Sequence, residues 1–132
     1  MTSDEVNAML AQQLNAIVGV NRRQGGPQLT PVWFHWDGEV FSFSTTRDRA
    51  KFGLIERDPR ISLLVDDLVA HRYVVAYGRA EIVDKDRERV AALTRPIVEK
   101  YGGANAEAML QSLAQDPNRV VVLLRPEKLI TR

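Results

Sequence analysis

Gln28-Leu29-Thr30-Pro31-Val32-Trp33-Phe34-His35-Trp36-Asp37-Gly38-Glu39-Val40-Phe41-Ser42-Phe43-Ser44-Thr45 decides the fold. Residues 28–36 alternate. Thr30, Val32, Phe34 and Trp36 point one way, and Leu29, Pro31, Trp33 and His35 the other, so the stretch predicts a half-buried strand. Asp37-Gly38 is a strong two-residue hairpin signal. Residues 40–45 then pair back, with Phe41 and Phe43 on one face and Ser42 and Ser44 on the other. Pro31 cannot donate to a ladder, so its strand lies at an edge, at a bulge, or open to a ligand.

Working outward, residues 16–20 form a short apolar run that suits a buried strand, and Gly25-Gly26 marks the turn after it. Before it, residues 4–14 read as a short helix capped by Ser3 or Asp4, with Val6, Met9, Leu10 and Leu14 on one stripe. On the other side, residues 47–57 read as a helix stopped by Asp58-Pro59. Residues 61–65 and 73–83 follow as strands, and Gly78 predicts a bulge or bend in the second. Asp84 caps a helix through Tyr101, Gly102-Gly103 ends it, residues 105–115 form another, and residues 119–124 the last clear strand. Successive strands joined by short turns must be antiparallel. The expectation is a mainly β fold with peripheral helices: a six-stranded antiparallel split barrel. Regular strand–helix alternation, which a doubly wound sheet needs, is missing.

Composition narrows the function. With 132 residues the chain makes a single domain, residues 1–132. It holds no cysteine, which excludes disulfides, thiolate metal sites and cysteine catalysis. The net charge of +1 gives no global drive toward nucleic acid or anionic membrane. The N-terminus lacks the basic start and apolar run of a signal peptide, and no stretch reaches the ~20 apolar residues of a membrane span. The expected compartment is cytoplasmic. His35 and His71 alone are weak evidence for a metal pair.

One segment suggests chemistry: Ser44-Thr45-Thr46-Arg47-Asp48-Arg49-Ala50-Lys51. Hydroxyls end a strand and a helix follows, whose first turn attracts anions. Arg47 and Lys51, four apart, would share a helix face and hold a phosphate with Thr45 and Thr46. The bland alternative is a capped, solvated surface helix.

Together with these residues, several stretches carry a family resemblance: Gly26-Pro27-Gln28-Leu29-Thr30-Pro31-Val32-Trp33-Phe34, Trp36-Asp37-Gly38, Ser44-Thr45 with Arg49-Ala50-Lys51, Glu56-Arg57-Asp58-Pro59-Arg60, and Tyr73-Val74-Val75-Ala76-Tyr77-Gly78-Arg79-Ala80. Their order over roughly residues 15–101 resembles the pyridoxamine-phosphate-oxidase-like, flavin-reductase-like split β-barrel family, and within it the F420-dependent (deazaflavin-dependent) branch. The resemblance implies an FMN-binding split-barrel fold and a homodimer with cofactor sites at the subunit interface. It implies that residues around Leu29, Thr30, Pro31 and Val32 contact the ring system. It places Thr45, Thr46, Arg49, Ala50 and Lys51 at the phosphate, where the residues alone suggest Arg47. It brings His71, Arg72 and Tyr73 from the second subunit. The implied activity is hydride transfer from reduced F420 to a small organic acceptor; the residues themselves add Arg22 and Arg23, a small basic patch that is either a solvated turn or a contact for the acidic tail. An FMN reductase or oxidase, or a non-catalytic flavin- or heme-binding protein, remains the alternative.

Overall fold

The computed structural model describes all residues, Met1–Arg132. In chain order the elements are α1 (Ser3–Leu10), β1 (Ala16–Val20), β2 (Gln28–Val32), β3 (Phe34–Trp36), β4 (Phe41–Thr46), α2 (Ala50–Arg57), β5 (Arg60–Asp67), β6 (Arg72–Val83), α3 (Arg87–Gly102), a 3₁₀ turn (Gly103–Asn105), α4 (Ala106–Ala114), β7 (Arg119–Leu124) and β8 (Lys128–Thr131). Every strand pairing is antiparallel. The hydrogen-bonded path runs β2-β1-β5-β6-β7-β4-β3, and β8 pairs β6 off that path.

The two ends of this path, β2 and β3, are consecutive in sequence and separated only by Trp33. The sheet therefore curls until its last strand meets its first. Six strands were expected, whereas the path has seven and β8 is an eighth. Two physical causes account for the difference. Residues 28–36 do not run as one strand, because β2 pairs β1 while β3 pairs β4, and the chain changes partner at Trp33. Residues 128–131 extend the β7 side of β6 after a register shift: Ala80 pairs Leu124, but Tyr77 pairs Lys128.

Gly78 stands opposite that shift. A Cβ there would lie 2.9 Å from both the Arg125 carbonyl and Leu124 Cδ1. Only glycine lets the β7–β8 crossing come so close. Pro31 sits on β2, at one end of the path, where its missing donor breaks no second ladder. At the β3–β4 turn Gly38 has φ +101°, and the Asp37 carboxylate accepts from the Glu39 and Val40 amides at 2.8 and 2.7 Å. That is the Asx geometry the Asp-Gly pair favours.

Inside the curl lies a core of 18 buried residues, centred on the fully buried Phe34, Phe41 and Phe43. Burying each such ring stabilises the fold by about 1.5–3 kcal/mol. The α1 stripe of Val6, Met9 and Leu10 plugs one end, and Ile55 of α2 joins the same core. The helix boundaries differ from expectation. Thr2 caps α1 in a reciprocal box with Glu5, and the helix ends at Leu10. Asp86, not Asp84, caps α3. α2 begins at Ala50, so Arg47 lies in the turn before it and shares no helix face with Lys51. No helix is long and apolar enough to cross a membrane.

Candidate functional site

A cleft of about 360 Å³ opens where the β2–β3 junction, the end of β4, the start of α2, and α3, α4 and β7 meet. Its basic end comes from the segment that drew attention in the sequence. Ser44, Thr45 and Thr46 finish β4, and Arg49 and Lys51 start α2. Arg49 is the N-cap, no side chain caps the helix, and its first turn carries no acidic residue. An uncapped, acid-free helix start leaves the positive end of the dipole for an anion.

A third cation arrives from a distant part of the chain. Arg119, the first residue of β7, pairs Thr46 across the ladder and lines the cleft. Its Nη1 donates to Ser44 Oγ at 3.3 Å, while its Nε is buried and has no partner. Its nearest carboxylate, Asp116, is 3.9 Å away. A buried guanidinium N–H without an acceptor costs stability unless a ligand supplies one.

Electrostatics say the same. Burial, and secondarily the charge of Arg49, hold the Lys51 ammonium below the usual lysine range. Burial also pulls Arg119 down; Asp116 opposes this and Arg49 adds to it. Neither Arg49 nor Lys51 has a carboxylate within ion-pair distance. Three like charges, with one carboxylate, Asp116, only at the limit of ion-pair distance from Arg119, suit a doubly charged oxyanion such as a phosphate monoester.

Apart from Thr94, the rest of the lining is apolar: Pro31, Val32 and Trp33 from the strand junction, Ile97 and Val98 from α3, and Met109 and Leu113 from α4. Of the residues singled out in the sequence, the cleft brings together Pro31, Val32, Thr45, Thr46, Arg49 and Lys51. Leu29, Thr30 and Ala50 adjoin it but do not line it. Arg47 turns away. It forms a two-pronged pair with Asp84, with Nε 3.0 Å from Oδ2, and donates to the Pro117 carbonyl at 2.8 Å. His71, Arg72 and Tyr73 lie at the β5–β6 turn and line no part of this cleft within one chain. Arg72 pairs with Glu5 at 3.1 Å. Arg22 folds onto its own loop, Nε donating to the Gly26 carbonyl at 2.6 Å. Sequence reading missed Arg119. Arg119 gives no local signal, since its place follows from the β4–β7 register alone.

A second cavity, about 340 Å³, lies between α3 and α4 and shares Thr94, Leu113 and Arg119 with the cleft. Its other arginines are committed. Arg87 donates to the Asp84, Arg119 and Asp116 carbonyls, and Arg95 pairs with Glu107 at 2.8 Å. The anion chemistry therefore belongs to the first cleft.

Comparison with known proteins agrees with this fold. A protein family described as pyridoxamine 5′-phosphate oxidase matches residues 2–132. Among solved structures, an F420 reductase superposes with a TM-score of 0.73 at 26% identity, over 94% of each chain. A conserved hypothetical protein of Mycobacterium tuberculosis gives 0.84 at 25% identity, over 99% of this chain and 84% of the other. General stress protein 26 of Bacillus anthracis gives 0.72 at 18% identity, over 98% and 92%, a likeness of fold alone.

Proposed function

The chain belongs to the pyridoxamine 5′-phosphate oxidase family, and from that premise we propose that its cleft holds F420 and serves a reductase acting on a small organic acceptor. The observation that carries this reading is the cationic set Arg49, Lys51 and Arg119, with only Asp116 within ion-pair distance of any of them, beside the Thr45 and Thr46 hydroxyls in a cleft otherwise lined mainly by apolar side chains. The residues fit a phosphate-bearing tricyclic cofactor. The basic end would bind the phosphate, and Pro31, Val32 and Trp33 would exclude water from the ring. When bound, the cofactor supplies the hydride. The chain's own part is to bind, orient and dry the site, which agrees with the lack of any acid–base dyad in it.

FMN is the second reading, favoured because the family binds flavin and because the phosphate end treats both ligands alike. The F420 reading rests on the likeness to an F420 reductase and on Arg22 and Arg23. These sit on the β1–β2 loop, beyond the far end of α2, where Asn21 meets Asp58 and Arg57. α2 runs Ala50–Arg57, so they lie about 9 Å or more beyond Lys51 along the helix, within reach of an extended acidic tail.

A homodimer is part of the same proposal. An apolar row crosses the outer sheet face through paired positions: Pro31–Ile17–Leu64–Val75–Ile130. Leu64 is 37% exposed, and Tyr73 and Tyr77 beside the row are 36% and 44% exposed. Such a patch supports a two-fold pairing, which would also carry His71, Arg72 and Tyr73 to a neighbouring site.

The test is a titration of the purified protein with F420 and with FMN, followed by absorbance. Saturable binding of F420 that is tighter than that of FMN, lost in Lys51→Ala, upholds the reading. Tighter FMN binding transfers it to the second reading, and binding of neither rejects both. Turnover of reduced F420 with electron-poor acceptors then separates an enzyme from a carrier.

A further inference from the structure

Trp33 occupies an unusual place. It is the single residue between β2 and β3, and it stays 40% exposed while its neighbours Val32 and Phe34 are buried. It also lines the cleft that holds the basic cluster. One of its faces is covered, because the indole stacks on Tyr101 with centroids 4.8 Å apart and planes within 5°. What it offers the cleft is therefore the opposite face or the ring edge.

Tyr101 is itself held firmly. Its hydroxyl donates to the Leu14 carbonyl at 2.5 Å. The preceding Lys100 donates to the Leu10 and Phe34 carbonyls at 2.8 and 3.3 Å, and its Nζ lies 3.7 Å over the Phe34 ring. Gln13 Nε2 donates to the Lys100 carbonyl at 2.7 Å. These bonds tie the end of α3 to the turn after α1 from both sides. With its hydroxyl bonded and its helix end anchored, Tyr101 is held in place, and the indole stacked on it is ordered before any ligand arrives. A fixed aromatic wall costs little further ordering when a flat ring packs on it.

We propose that Trp33 is the stacking wall for the planar conjugated ring of the ligand whose phosphate meets Arg49, Lys51 and Arg119, and that Tyr101 is its positioning residue. The proposal rests on the cleft being the cofactor site, and assigns the ring end of that site to named side chains.

The experiment titrates the parent, Trp33→Ala, Trp33→Phe, Tyr101→Ala, Tyr101→Phe and Lys51→Ala proteins with F420, FMN and inorganic phosphate. Affinity is read by absorbance for the ring ligands and by thermal protection for phosphate. For the tighter ring ligand, Trp33→Ala weakens binding about tenfold or more, the scale of aromatic stacking on a conjugated ring. It abolishes the shift of the ligand's absorbance band and leaves phosphate protection at the parent level. Trp33→Phe and Tyr101→Phe keep the band shift, while Tyr101→Ala reduces it. Lys51→Ala lowers both ring-ligand and phosphate binding. Trp33→Leu, which keeps apolar volume and removes the ring, replaces the alanine variant if that one does not fold. Parent-like ring binding in the Trp33 variant, with Lys51→Ala still damaging, overturns the stacking wall alone. Parent-like binding in both overturns the cofactor reading of the cleft and the wall with it.

Discussion

Arg47 and Lys51 come from one short segment and end in opposite situations. Arg47 is wrapped: Asp84 takes both sides of its guanidinium, and the Pro117 carbonyl and Asn118 side chain take another nitrogen. The Asp84 carboxyl is accordingly held below the usual carboxylate range, chiefly by its hydrogen bond to Arg47. Lys51, half-buried, has no such partner, and it shares its surroundings with Arg49 and Arg119. The first corner is finished and joins β4 to the β6–α3 turn. The second is left incomplete at a cost, and incompleteness of that kind marks a binding site.

The largest expected effect separates these corners directly. Lys51→Ala weakens phosphate-bearing ligands by about ten- to a hundredfold, the value of one charged hydrogen bond of about 1.5–3 kcal/mol. The unfolding midpoint holds or rises, because a desolvated charge is removed. Arg119→Met does the same. Arg47→Ala lowers the unfolding midpoint and leaves ligand affinity in the folded protein at the parent value. Denaturation curves beside binding isotherms for the three variants check this. A binding defect in Arg47→Ala that matches Lys51→Ala would erase the distinction.

A smaller effect follows from pH. Lys51 titrates below the usual lysine range, and an anion beside it restores its proton affinity. Ligand binding should therefore take up protons at alkaline pH and weaken as pH rises, and Lys51→Ala should flatten that dependence. Isothermal calorimetry in buffers of differing ionisation heat reads the proton uptake.

These pairings also show what the sequence could tell. Phe34, Phe41 and Phe43 fall on the core face as alternation required, and Asp37-Gly38 makes its turn, because both depend on local geometry. Thr45, Thr46 and Lys51 reach the cleft because a strand end and helix start carry them there. The choice between Arg47 and its neighbours was not legible. It depends on Asp84, 37 positions away, and the cap assigned to Asp84 passes to Asp86 for the same reason. The break at Trp33 was hidden too, since alternation continues through it while the hydrogen-bond partner changes from β1 to β4.

The finest test sets Lys51 against the other half-buried lysine, Lys100. Burial lowers Lys100 to about 8, from an ordinary 10.5. Unlike Lys51, it has acceptors, the Leu10 and Phe34 carbonyls, and the Phe34 ring beneath it. Its proton is bound more weakly in the folded chain than in the unfolded one. Below pH 8 both states carry the charge and the fold bears its full desolvation cost. Between 8 and 10.5 the unfolded chain binds more protons, so this lysine's contribution to stability rises with pH. The neutral amine still donates to both carbonyls, so losing the charge does not release the clamp on α1. Tyr101 works against the trend only above its ordinary value of 10, since burial raises its phenol. Lys51 has the same sign as Lys100, so the diagnostic quantity is a difference between proteins. Urea unfolding at pH 7.5, 8.5 and 9.5 should show the parent gaining stability relative to Lys100→Met as pH rises. If the two curves stay parallel, Lys100 carries no buried-charge cost, and the contrast between a satisfied lysine and a waiting one rests on Lys51 alone.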